Sequence, residues 1–422
     1  MPAPKESFDA EFAAGSQTAV STTMAFTRML RNLIRDRDLG PRIVPIIPDE
    51  ARTFGMDPLF NEVGIYSATG QRYDPVDSEL VLKYREAIDG QVLEEGITEA
   101  GSAAGFQAAG TSYATHGFPV IPFYIFYSMF GFQRTGDQLW AAGDARARGF
   151  LMAATAGRTT LTGEGLQHDD GHSHVLAMTN PAVRGYDPTF AYELAAIIRD
   201  GIERMHVKGE DLMYYISIYN ENYAQAPKPE GVDEGILRGI YRFAEAPKVA
   251  RRNGAKATPR VRLVGSGSIL QQVIAAQALL AEKLGVAAEV YSAPSWPEAR
   301  RDALRVDRWN RLHPAEPPRV PFVRTVLGAE GGPIIAASDW MKALPDLIRP
   351  WIEAPFITLG TDGFGRSDTR ESLRSYFEID PPHIAAAALA SLATAGDITA
   401  EAAAKGIAEL GIDPDKADPL DT

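Results

Sequence analysis

The feature that most constrains this chain is a repeated alternation of short apolar runs with longer amphipathic segments. Residues 42–47, 91–93, 120–125, 149–154 and 212–218 read as strands, and residues 21–35, 98–115, 128–146 and 190–204 as the helices around them. A parallel pair of strands needs a crossover of a dozen or more residues, so this order predicts a mostly parallel sheet covered on both faces. A second series follows, with strands at 261–264, 288–292, 334–337 and 356–359 and helices at 269–284, 297–310, 339–351, 384–395 and 400–410. Between the two, AEAPKVARRNGAKATP lacks apolar periodicity and reads as a linker. The expected fold class is α/β, built as two consecutive open, mostly parallel sheets covered by helices. The expected division is a flexible start at 1–18, a first domain at 19–245, a linker at 246–258 and a second domain at 259–422.

Composition narrows the chemistry. With 42 Lys and Arg against 55 Asp and Glu, the formal charge is −13, which gives no general attraction for nucleic acid. The absence of cysteine removes disulfides, thiolate metal sites and a cysteine nucleophile, so redox chemistry would need a bound cofactor. The first twenty residues show no apolar core behind a basic start, and the most apolar stretch, 118–132, is interrupted by Pro119 and Pro122. The expectation is a cytoplasmic chain without a membrane span.

Three of the seven histidines, His168, His172 and His174, fall within seven positions of the run GEGLQHDDGHSH. Imidazoles and carboxylates at this density suit a catalytic or substrate-binding loop, a metal site or a solvated polar loop; Gly171 and the Asp169 that stands where a zincin has glutamate count against the metal. A second candidate is EEGITE at a strand exit, where open α/β sheets bind ligands, although an acidic residue there also serves as a helix N-terminal charge. In the following helix, Gly101, Gly105 and Ala109 recur at spacings of four, as in tight helix packing. The aromatic run IPFYIFYSMFGF reads as core or as the wall of a site for a flat ligand. Gly265-Ser266-Gly267 lacks the full dinucleotide fingerprint because position 270 is Leu270, and GTDGFGRSD reads as a structural turn or an interface loop.

Taken in order, PDEARTFGM, EEGITEAG, IPFYIFYSMFGFQR, GRTTLTGEGLQHDDGHSH, NENY and LGTDGFGRSD closely resemble the homodimeric type of pyruvate dehydrogenase, the decarboxylating component of the pyruvate dehydrogenase complex. The resemblance runs from about Ser21 onward and implies the pyrimidine-binding and C-terminal domains of a transketolase-like, thiamine diphosphate-binding fold. It implies that Glu99 contacts the ring nitrogen of the cofactor's aminopyrimidine, that Phe130 stacks on that ring, and that Ile97 supports the bent cofactor. Asp49, Glu50, Tyr127 and Glu164 match polar residues of the family's active centre, Arg134 an arginine near the pyrimidine end, and His168 a substrate-facing histidine; His172 and His174 lie on the same loop. The family's diphosphate-binding motif, Gly-Asp-Gly, does not occur here. Mg²⁺ is therefore expected on a separate diphosphate-binding domain or subunit.

The activity implied is decarboxylation of pyruvate with reductive transfer of the acetyl group to a lipoyl group on the dihydrolipoamide acetyltransferase component, in a dimer or heterotetramer. Two other readings stay open at this point: a non-catalytic assembly or regulatory module of a 2-oxo acid dehydrogenase complex, and a metal-dependent hydrolase built on the histidine loop.

Overall fold

The computed structural model describes residues 7–48, 51, 54–74, 76, 84–162, 164–249 and 257–421. Asp49 and Glu50, and most of the expected linker, lie outside the described residues. Two compact units are formed. The first comprises residues 1–156, 175–185 and 190–228, and the second 157–174, 186–189 and 229–422.

The first unit carries a six-stranded sheet. Its strands are β1 (Ile43–Ile47), β2 (Leu93–Glu94), β3 (Ile121–Tyr127), β4 (Gly149–Ala154), β5 (Val183–Tyr186) and β6 (Met213–Ser217), in the order β2-β1-β3-β4-β6-β5. The pairs β1–β2, β1–β3, β3–β4 and β4–β6 are all parallel. Pro45 is tolerated inside β1 because β2 pairs only with Ile46 and Ile47, so the missing N–H costs no ladder bond on that side.

Alternation along the strands sends successive side chains to opposite faces. On one face Phe123 stacks on Phe150 at 4.5 Å and meets Phe26 of helix α1 (Thr22–Arg35) at 5.9 Å. On the other, Tyr124, Phe126, Leu151 and Tyr215 form a core with Ala103 and Phe106 of α2 (Glu99–Gly110) and Leu139 and Ala142 of α3 (Phe132–Asp144). Helix α4 (Ala191–Ile202) returns to the first face, where Gly201 leaves room for the ring of Phe150.

The second unit holds a five-stranded sheet of β7 (Tyr241–Ala244), β8 (Arg260–Gly265), β9 (Ala287–Ser292), β10 (Ile334–Ala337) and β11 (Phe356–Leu359), ordered β7-β9-β8-β10-β11. Only β7 runs antiparallel, along β9. Helices α5 (Leu270–Leu279), α6 (Trp296–Leu312), α7 (Pro381–Ala395) and α8 (Ala400–Glu409) accompany it. The open, mostly parallel α/β architecture expected from the alternation is what the chain adopts.

Local departures have local causes. The helix expected at 339–351 forms only a 3₁₀ segment, Pro345–Trp351, because Pro345 and Pro350 supply no amide for α-helical bonds. The expected 128–146 helix is split at Gly131, where a Cβ would lie 2.1 Å from the Phe126 ring. Residues 7–20 hold a helix, Ser7–Ala13, tied to α4 by Asp9–Arg199, and a strand, Ser16–Val20, paired with Tyr223–Gln225. Gly265-Ser266-Gly267 is buried, with the Ser266 hydroxyl donating to Asp187 and accepting from Trp296 Nε1, so its polar groups are spent inside the unit.

Candidate functional site

In the first unit, the turn at Gly96, with φ at 78°, delivers the chain into α2. The Thr98 hydroxyl accepts from the Gly101 amide as N-cap, and Glu99 opens the helix, where a negative charge is favoured by the free amides. Glu99 is buried at 8% exposure. Its Oε2 accepts from Arg134 Nη1 at 2.9 Å, and its main-chain carbonyl accepts from the Tyr124 hydroxyl at 3.1 Å. Burial and the adjacent Glu99 charge both push the Tyr124 phenol upward, so that hydroxyl remains a donor. Oε1 of Glu99 receives no hydrogen bond from the described residues.

Arg134 also lies over the Phe130 ring at 4.0 Å, Phe130 meets Tyr127 edge-on at 6.2 Å, and Tyr127 meets Phe54 at 5.2 Å. Because the Arg134 side chain is 52% exposed, its ion pair contributes no more than about 1 kcal/mol. Its value is geometric, since it fixes one carboxylate oxygen and, among the described residues, leaves the other without a hydrogen bond. Glu99, Tyr127, Phe130 and Arg134 are thus brought together. Ile97 stands two residues ahead of Glu99 and is exposed.

The histidine loop belongs to the second unit. His168 ends a 3₁₀ turn, Leu166–His168, with its Nδ1 3.3 Å from the Gly165 carbonyl and 3.8 Å from Glu164 Oε2. Asp170 is fully buried, and its Oδ1 accepts from the amides of His172 and Ser173, which starts the short helix Ser173–Ala177. His172 Nδ1 lies 3.7 Å from the same oxygen. His174 is turned into the core against the Trp340 indole at 4.5 Å, and burial lowers its pKa, which keeps the ring neutral. The three imidazoles therefore do not converge, and among the described residues no three His, Asp or Glu side chains are grouped to hold a metal ion.

Two buried residues that the sequence reading did not single out hold this loop. Arg158 donates from Nη1 to the carbonyls of Thr361 and of Gly363, the latter at 2.6 Å, and burial lowers the guanidinium pKa. A Cβ on Gly171 would fall 2.5 Å from its Cζ, so only glycine passes there. Asp339, completely buried, accepts from the amides and hydroxyls of both Thr159 and Thr160 at 2.6 to 3.0 Å; burial still holds its pKa above the usual carboxylate value. Asp169 packs against Gly365, where a Cβ would lie 2.3 Å from its own, and burial pushes its carboxyl up to about 7 against the pull of Arg158. The GTDGFGRSD turn is thereby a fixed support for the histidine loop. Arg158 lies in a motif that the family resemblance had marked, whereas Asp339, one aspartate after a strand, carries no local signal.

The two sheets and their order define a transketolase-like α/β protein. Over 92% of this chain the fold matches transketolase from Leishmania mexicana, with a TM-score of 0.66 at 16% identity and 47% of that chain covered. A split-gene transketolase described as an inactive beta4 tetramer matches 88% of this chain and 98% of its own, with a TM-score of 0.56 at 15% identity. Residues 4–226 match the pyruvate dehydrogenase E1 component middle domain, and residues 239–380 the transketolase-like TK C-terminal domain. The pyruvate dehydrogenase E1 component of Pseudomonas aeruginosa is 53% identical over 99% of this chain and 47% of its own length. The chain belongs to the pyruvate dehydrogenase E1 component family, and it spans about half the length of the curated relatives it matches.

Proposed function

We propose that this chain supplies the aminopyrimidine-binding and C-terminal parts of a thiamine diphosphate-dependent pyruvate dehydrogenase component, which decarboxylates pyruvate and passes the acetyl group to the lipoyl group of a dihydrolipoamide acetyltransferase. The observation that carries the reading is Glu99, a buried carboxylate with one oxygen held by Arg134 and the other without a partner among the described residues, in a site where Arg134 also covers Phe130. A protonated ring nitrogen of an aminopyrimidine needs such an acceptor, so the residues fit the cofactor. Thiamine diphosphate, when bound, supplies the electron-accepting thiazolium that 2-oxo acid decarboxylation requires.

In this reading Glu99 holds a proton at the pyrimidine ring nitrogen, Phe130 stacks on the ring, and Tyr127 and Ile97 complete its surroundings. His168, with Glu164 beside it, faces the substrate, and His172 lies on the same loop. Asp49 and Glu50 belong to the same assignment from the family resemblance alone. His174 braces the loop from within the core rather than touching substrate. With no Gly-Asp-Gly in the sequence, Mg²⁺ and the diphosphate are assigned to another domain or subunit, and the working assembly to a dimer or heterotetramer in the cytoplasm. Among the described residues, no helix is long and apolar enough to cross a membrane.

The test is reconstitution with a separately produced Gly-Asp-Gly-bearing chain, thiamine diphosphate and Mg²⁺. Glu99→Ala is expected to lower turnover on the order of 10²- to 10⁴-fold, the usual contribution of a positioned acid–base group. Undiminished turnover in that variant would overturn the assignment.

A further inference from the structure

Helix α6 turns a different chemistry to solvent from the rest of this acidic chain. Its inner face is set by Trp296, Ala299 and Ala303, all buried. At 100° per residue, Leu304, Arg305, Arg308, Arg311 and Leu312 fall within roughly 120° on the opposite side. Leu304 and Leu312 are 42% and 54% exposed, and all three arginines are exposed.

The helix's own carboxylates form no ion pair with this face among the described residues, although Asp302 and Asp307 stand at i−3 from Arg305 and i−4 from Arg311. Glu298 accepts from Arg301 at 2.9 Å, Asp302 from Arg238 and from the Phe322 amide, and Asp307 from the Trp351 indole. Arg305, Arg308 and Arg311 make no hydrogen bond or ion pair among the described residues. The neighbours of Arg308 at i±3 are Arg305 and Arg311, and those at i±4 are Leu304 and Leu312. On a helix surface these are the positions where a carboxylate would relieve an arginine, and like charges there are unfavourable. The end of the helix is fixed in place, with His313 stacked on Trp309 at 4.5 Å and Arg319 over the same indole at 3.7 Å.

We propose that the outer face of α6 is a docking surface for an acidic, amphipathic segment of a partner protein, whose carboxylates meet Arg305, Arg308 and Arg311 and whose apolar side chains cover Leu304 and Leu312. Charge complementarity selects an anionic partner. The interleaved leucines select a protein segment over nucleic acid, because a phosphate backbone would leave both leucines in water, and because a long polyanion would run onto a surface whose overall charge is −13. A helix of 17 residues, about 25 Å long, offers a contact suited to one short segment.

The experiment titrates the full chain into a fluorescent synthetic peptide with glutamate and leucine in helical register, and reads anisotropy. Binding that weakens with salt, and that falls about tenfold or more in Arg305→Gln/Arg308→Gln/Arg311→Gln, is the expected result, the sum of three modest surface pairs. Leu304→Ser/Leu312→Ser is expected to weaken binding as well. These side chains are exposed, so the melting temperature of the triple variant should be unchanged or higher, which excludes misfolding as the cause. Equal affinity in the triple variant, no binding of the peptide, or tighter binding of duplex DNA or of phosphatidylglycerol vesicles through the same arginines would overturn the proposal.

Discussion

Asp169 shows how much of this chain's behaviour rests on a single buried group. Its carboxyl, pushed up to about 7 by burial, keeps a proton in the folded chain that it loses near pH 4 when unfolded. Over the interval between those values the folded state binds the extra proton, so stability falls as pH rises from about 4 to about 7 and is level above that. His174 and His206, both held neutral by burial, act in the opposite sense, since their contribution is present above the ordinary histidine value and is lost as pH falls. Asp169→Asn keeps those histidines, so the difference between the two proteins isolates the aspartate. The expected outcome is a melting temperature that, relative to Asp169→Asn, declines for the parent chain from about pH 4 to about pH 7 and then runs parallel. Parallel curves across the whole range would show that the group is not buried as described. At this scale the sequence is only partly legible. Glu99 announces itself through the Thr98 cap and the strand exit before it, but the partners of Asp339 lie some 180 positions away, and no local pattern encodes them.

Elements are more legible than residues, because strand and helix periodicities are set by nearest neighbours. Apart from β5 and β7, the strands of both sheets read directly as apolar runs. The short β5 carries an arginine and a glycine, and β7 an arginine, so neither has an apolar run to mark it. Helix α2 shows where one pattern admits more than one reading. Its glycine spacing suggests close approach of another helix, yet Gly101 faces the Thr98 side chain, and Gly105 faces the tip of Glu95, an exposed residue. A Cβ at Gly105 would sit 3.1 Å from Glu95 Oε1, the mobile end of a flexible side chain. Gly105→Ala should therefore keep the fold and gain up to about 1 kcal/mol from helix propensity, read as a higher denaturant midpoint. Gly131→Ala should do the reverse, losing about 1–3 kcal/mol, because its Cβ would overlap the buried Phe126 ring. Loss of stability at Gly105 would mean that the stripe packs against something after all.

At the scale of the whole molecule, the order of elements predicts two α/β sheets in series, and two such sheets, of six and five strands, form, but a unit need not be one continuous stretch of sequence. The second unit takes in residues 157–174 and 186–189 as well as 229–422. These inserted segments supply Thr159 and Thr160 to Asp339, Arg158 to the turn at Thr361 and Gly363, and Asp187 to Ser266. Cutting at residues 246–258, where composition invites it, strips the second sheet of those groups and of its edge strand β7. Asp339 would then lose its four donors, and each hydrogen bond lost to a carboxylate costs about 1.5–3 kcal/mol, together a large part of a typical domain's stability. A polypeptide of residues 259–422 is therefore expected to unfold without a cooperative transition. One of residues 229–422 mixed with a peptide of residues 157–189 should regain a transition in denaturant, monitored by tryptophan fluorescence, to which the buried Trp296 and Trp340 contribute beside Trp309 and Trp351. If residues 259–422 alone unfold cooperatively at the midpoint of the intact chain, the inserted segments are dispensable, and the buried aspartate finds its donors elsewhere.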